Sequence, residues 1–218
     1  MLGLCRAIIV APTPFDSRAL AEIAAGAGFG DIASIFDDAE SGNGLSYPVS
    51  FFLVHHRLND ADCDDIIDAV RHIDRKGLRY SPMVVLLPET SAESMRKFVL
   101  MGFDDVIHLP QSRDQLAVRL ATQLDRDIVY IETGDYLGPD RRRLDADSAL
   151  QRRTSVSTHT RLVIRRDPDY GTRIVTRQLR GQQNFHTATP DPRSHATLGT
   201  IPAQPRVFGR RQIPAQTG

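Results

Sequence analysis

Met101-Gly102-Phe103-Asp104-Asp105-Val106-Ile107-His108-Leu109-Pro110 holds the end of one element and the whole of the next. The residues leading into it, Ser91–Met101, read as a helix, and Val106–Leu109 reads as a short apolar strand. Comparable runs precede it at Ala7–Val10, Ile32–Phe36, Val49–Val54 and Met83–Leu87. Short apolar runs bounded by turn residues mark strands buried on both faces. Between them, Asp16 or Ser17 is placed to cap a helix carrying Leu20, Ile23 and Ala24, closed by Gly26, Gly28 and Gly30. Asn59–Arg71 carries Cys63, Ile66, Ile67 and Val70 at helical spacing. Asp60, Asp62, Asp64 and Asp65 load its first turns, the positive end of the helix dipole. Gln115–Leu124 puts Leu116, Leu120 and Leu124 on one stripe, whereas the acidic stretch Asp37–Tyr47 has little room for a full helix. Strands alternating with helices predict βαβ units and a parallel, doubly wound sheet. Function in such sheets sits at the carboxyl ends of the strands, here the loops after Val10, Val54, Leu87 and Leu109.

The charge pattern divides the chain. Residues 1–139 carry 12 Lys and Arg against 21 Asp and Glu, a net −9, while residues 140–218 carry 15 Arg, no Lys and 6 Asp, a net +9. The basic part is poor in Leu, Ile, Val and Phe and rich in Pro, Gln, Thr and Ser, so most of it is not expected to bury a core. Three parts are expected: an α/β domain over 1–126, a basic extension over 127–180 and a disordered tail over 181–218. Within the extension, Ile128–Ile131 reads as an added edge strand and Tyr136–Arg143 as a turn followed by a basic cluster. Arg161–Arg166 and Arg173–Leu179 alternate around Asp167-Pro168-Asp169-Tyr170-Gly171, the pattern of a β-hairpin. Cys5 and Cys63 give neither a disulfide framework nor zinc spacing. With no leader-like segment and no apolar run near 18 residues, a cytoplasmic protein without a membrane span is expected.

The order of segments over about residues 5–125 resembles the receiver domains of response regulators. The resemblance rests on Ala7–Val10 with Ser17-Arg18-Ala19-Leu20, and on Phe51–Val54 with Ile66-Ile67-Asp68-Ala69-Val70-Arg71. Its most specific part is Met101-Gly102-Phe103-Asp104-Asp105-Val106, followed by Leu109-Pro110 in place of a Lys-Pro step. It implies a flavodoxin-like five-stranded parallel sheet. It also implies a pocket where an acidic pair and an aspartate bind Mg²⁺, the aspartate attacks a phosphoryl group, and a hydroxyl and a lysine hold its oxygens. An ungapped count back from the Ile66-Ile67 helix puts His55 at the phosphoacceptor position and Ala11 and Pro12 at the acidic pair. Leu87 stands for the hydroxyl and Leu109 for the lysine. Mg²⁺ requires hard oxygen ligands and the nucleophile an ionised carboxylate. The expected state is therefore a degenerate pocket of Ala11, Pro12, His55, Leu87 and Leu109 with no acid among them, Asp16 lying too far into its helix to contribute.

This pattern predicts a non-enzymatic pseudo-receiver that signals by protein–protein contact in a phosphorelay, with no cofactor and no metal. A histidine kinase, a response regulator or another signalling protein is the expected partner. Tyr136, Arg141, Arg142 and Arg143 are candidate contact residues, since guanidinium forks anchor carboxylates and phosphates. Met95 on the helix Ser91–Met101 is another, on a face with the fifth strand that would also serve a homodimer. His55 buried among apolar neighbours would favour its neutral form. The alternative is a nucleotide- or nucleic-acid-binding module using the arginine-rich extension. The aromatic-poor tail and the missing companion segment of cyclic-dinucleotide binders weigh against it.

Overall fold

Strands β1 (Cys5–Val10), β2 (Asp31–Ser34), β3 (Val49–His55), β4 (Met83–Leu87) and β5 (Asp105–His108) form one sheet in the order β2-β1-β3-β4-β5. All four pairings are parallel. This is the flavodoxin-like order, with its switch point between β1 and β3. The computed structural model describes residues 1–35, 47–88, 91–141 and 158–180. All of these described residues belong to one compact unit. The expected disorder after Gly181, and Arg142 and Arg143 among the contact candidates, fall outside the described residues.

The helices are α1 (Pro14–Ala27), α2 (Asp60–His72), a short α3 (Lys76–Arg79), α4 (Ala92–Met101) and α5 (Arg113–Ala121). They split the core in two. Leu20, Ala24, Leu116 and Leu120 pack on one face of the sheet against Ala7, Ile9, Phe51 and Leu53. Cys63, Ile67, Val70 and Phe98 pack on the other against Val10, Phe52, Val54 and Val85.

Helix starts differ from expectation by a few residues, each for a local reason. Thr13, not Asp16 or Ser17, caps α1, because Pro14 lacks an N–H and fits the first helical position. Ser112 starts α5 ahead of Gln115 through a reciprocal capping box with that residue, and the helix ends at Ala121, short of Leu124. At the end of α1, Gly28 adopts φ 87°, the left-handed conformation that glycine adopts without steric penalty.

The extension builds a second, antiparallel sheet from β6 (Asp127–Glu132), β7 (Leu137–Pro139), β8 (His159–Asp167) and β9 (Gly171–Arg180), in the order β7-β6-β8-β9. The expected hairpin is β8–β9. The segment expected as an added edge strand is instead interior: β6 lies between β7 and β8. Gly138-Pro139, expected as a turn, lies in strand β7, paired with Ile131 and Tyr130. Tyr80, Tyr130, Leu137, Leu162 and Ile164 form a third cluster between this sheet and the end of α3. No helix among the described residues is long and apolar enough to cross a membrane.

Candidate functional site

The register of β1, β3, β4 and β5 brings the anticipated positions to one edge. Val10 pairs with Val54, His55 with Leu86, and Leu87 with His108. The Leu109 amide donates to the Leu87 carbonyl at 2.7 Å, joining the last two strand ends. Ala11 and Leu87 are buried, Leu109 and His55 half-buried, and Pro12 exposed. Leu87 packs into one apolar cluster and Leu109 against the other, so neither offers a donor or a charge.

An acid nevertheless reaches this edge, contrary to expectation. Because Thr13-Pro14 starts α1 directly after the strand, Asp16 falls in the first turn and lies back over the strand ends. Its Oδ1 is 3.8 Å from His55 Nε2 and accepts from the Arg57 guanidinium at 3.3 Å. Its Oδ2 accepts from the Thr13 hydroxyl at 2.8 Å, while its amide donates back to Thr13 at 3.1 Å. The Thr13 hydrogen bond, with His55 and Arg57 and against burial, holds the Asp16 carboxyl below its ordinary value.

The Arg57 amide donates to His55 Nδ1 at 3.2 Å, which puts the proton of neutral His55 on Nε2, facing Asp16. Burial pulls the His55 pKa down, the neighbouring His56 ring at 4.4 Å adds to this, and Asp16 opposes it. Among the described residues the crevice therefore holds the Asp16 carboxylate, already engaged by a hydroxyl and a guanidinium, beside a neutral imidazole. Among the described residues no three His, Cys, Asp or Glu side chains form a metal-holding group.

At the opposite, amino-terminal edge of the parallel sheet lies a buried ionic cluster with no local signature in the sequence. Asp104 Oδ2 accepts from the Met83 amide at 2.9 Å and from Arg71 at 2.8 Å. Its Oδ1 accepts from Arg166 of β8 at 2.6 Å and from the Tyr130 hydroxyl of β6 at 2.5 Å. Arg166 also donates to the Tyr80 carbonyl at 2.8 Å, to Gln123 at 3.0 Å and to the Tyr130 hydroxyl at 2.6 Å. Arg71 donates to the carbonyls of Arg79 at 3.0 Å and Ser81 at 2.9 Å. Burial would raise the Asp104 pKa, but Arg166 and Arg71 outweigh it and hold the carboxyl below its ordinary value. The cluster fastens the second sheet to the first.

The contact candidates of the extension are partly turned inward. The Tyr136 ring packs over Gly138 and beside Gly102, its hydroxyl donates to the Pro139 carbonyl at 2.8 Å, and the Arg141 guanidinium stacks 4.1 Å from its centroid. Burial pushes the Tyr136 phenol up to about 12. Met95 is exposed on α4.

No family model and no curated protein matches the chain. Among solved structures it is similar to a putative pilus assembly-related protein from Burkholderia pseudomallei, with TM-score 0.42 and 15% identity over 56% of this chain and 90% of that one. It is also similar to the receiver domain of a sensor histidine kinase from Pseudomonas aeruginosa, with TM-score 0.40 and 17% identity over 54% of this chain and 94% of that one. A third is the signal receiver domain of a signal transduction histidine kinase from Syntrophus aciditrophicus, with TM-score 0.38 and 19% identity over 56% and 92%. The likeness is one of fold. The fold is receiver-like. That rests on the β2-β1-β3-β4-β5 order with all pairings parallel.

Proposed function

We propose that this chain is a cytoplasmic, non-enzymatic receiver-like module that signals by protein–protein contact, in a two-component context, without being phosphorylated. The observation that carries this reading is the composition of the strand-end crevice: Ala11, Pro12, a neutral His55, Leu87 and Leu109 stand where phosphoryl transfer needs oxygens, a hydroxyl and an amine. Asp16 is one oxygen donor, and Thr13 and Arg57 already engage it. Mg²⁺ takes several hard oxygen ligands, which the one carboxylate among the described residues of the crevice, beside an imidazole, does not supply. A histidine kinase, a response regulator or another signalling protein is the partner this reading names.

The alternative, an arginine-rich nucleic-acid or nucleotide surface, is less well supported. Arg166 is buried, and Arg165 and Arg177 are paired to Asp127 and Glu132. The test is to titrate the full chain with Mg²⁺ and beryllofluoride and follow its amide NMR spectrum. Unchanged resonances around Val10, His55 and Leu87 are expected. Saturable shifts there, or one added phosphoryl mass with acetyl phosphate, would overturn the proposal.

A further inference from the structure

Strand β9 closes the order β7-β6-β8-β9, so one of its two edges pairs with β8 and the other has no strand beside it among the described residues. All residues from Arg173 to Arg180 are exposed on both faces, unlike those of β8, where every second residue is buried. An open edge of this length presents a row of N–H and C=O groups ready to pair with another extended chain. What the side chains add is a sign and a period. Arg173 and Arg180 share a face, opposite Arg165 and His159 of β8. Ile174 and Leu179 lie on the other face, 37% and 63% exposed.

Among the described residues the acid serving the exposed part of β9 is Glu132, which accepts from Arg177 at 2.8 Å. No carboxylate of the described residues pairs with Arg173 or Arg180, and Arg180 donates to Gln178 within its own strand. A bulge after Val163 disturbs the β8–β9 register. Bulges and charges are the usual guards against self-pairing of an edge, and a second copy would add its own arginines to this row. The same row attracts a strand of opposite sign, since opposite charges across a strand pair stabilise it and like charges destabilise it.

We propose that β9 is a docking edge for an extended partner segment that alternates acidic and apolar residues, adding a strand to the second sheet. Its acids face Arg173 and Arg180, and its apolar residues cover Ile174 and Leu179. Main-chain pairing supplies the affinity and the alternating side chains the selectivity. This names a surface for the contact signalling proposed above and rests on that reading.

The probe is a fluorescent N-acetyl-Glu-Val-Glu-Val-Glu-Val-Glu amide, long enough to place an acid opposite both Arg173 and Arg180, added to the full chain, with anisotropy for affinity and amide exchange for location. Saturable binding is expected, with slower exchange in β9 and weakening by added salt. A Gln-Val peptide and the R173E/R180E variant should each bind roughly tenfold more weakly, as two cross-strand charge pairs of up to about 1 kcal/mol each imply. R173Q/R180Q repeats the test without charge reversal. The proposal fails if the peptide does not bind, or if both variants bind it as the parent does. It fails equally if a twelve-residue oligothymidine displaces it from β9, or if β9 is instead protected by dimerisation of the chain. The beryllofluoride result stands apart from all of these, so the docking edge and the phosphate-free reading fall separately.

Discussion

Arg166 and Asp104 meet at 2.6 Å with side chains 0% and 1% exposed, one from the antiparallel sheet and the other from the turn before β5. Desolvating such a pair is itself unfavourable, so its presence says little about net stabilisation. What it fixes is the penalty for separation. Removing one partner strands the other, and that penalty is about 3–5 kcal/mol.

Arg166→Met should therefore lower unfolding free energy by about 3–5 kcal/mol in urea titrations. Asp104→Asn should cost a similar amount, since Arg71 and Arg166 then face each other without a counter-ion. The double variant should lose at least about 1 kcal/mol less than the sum of the two, because both changes break one network. Additive losses would mean that the two residues act separately.

The same pair sets an acid limb. Asp104 has a folded-state pKa below its ordinary 3.8, so the stability it contributes is complete above that value. That stability is lost as pH falls from about 3.8 through the depressed folded value. Urea midpoints measured from pH 6 down to 2 should fall more steeply for the parent than for Asp104→Asn below pH 4. Parallel curves would remove Asp104 as the source.

His55 should titrate below its ordinary 6.5, since burial and His56 oppose its charge. Asp16 works the other way, so Asp16→Asn should lower the midpoint further. The imidazole proton resonances of the two proteins against pH decide this. An upward move in the variant would mean that Asp16 is not the charge His55 feels.

Gly138 leaves room for the Tyr136 phenol. A Cβ at Gly138 would sit 2.5 Å from the Tyr136 hydroxyl oxygen and 2.8 Å from its ring. Gly138→Ala should cost about 1–3 kcal/mol, the usual range for overpacking. In a Tyr136→Ala background the same change should be close to neutral. Thermal melts of the four proteins in the cycle measure the coupling.

The parallel sheet was legible because each strand is an apolar run and each helix a stripe, patterns set within ten or so residues. Placement at the strand ends was legible where it followed from strand position, as with His55, Leu87 and Leu109. Asp16 was misjudged because its reach depends on where α1 starts, and Thr13-Pro14 starts it earlier than an Asp16 or Ser17 cap would. Arg57 was missed, since it meets Asp16 only through the fold. The ionic cluster was missed because its members lie far apart in the chain. The available signal was phase: Leu162, Ile164 and Arg166 occupy the inward positions of one alternating strand, where a buried arginine needs a buried acid. In the opening stretch Asp104 falls between the expected helix and the expected strand, and it is the acid that answers Arg166.

Arg166 follows Asp104 by 62 residues and Tyr80 by 86. A chain cut short before β8 would therefore keep Arg71 on the Asp104 carboxylate but lose the Arg166 donor to both Asp104 and the Tyr80 carbonyl.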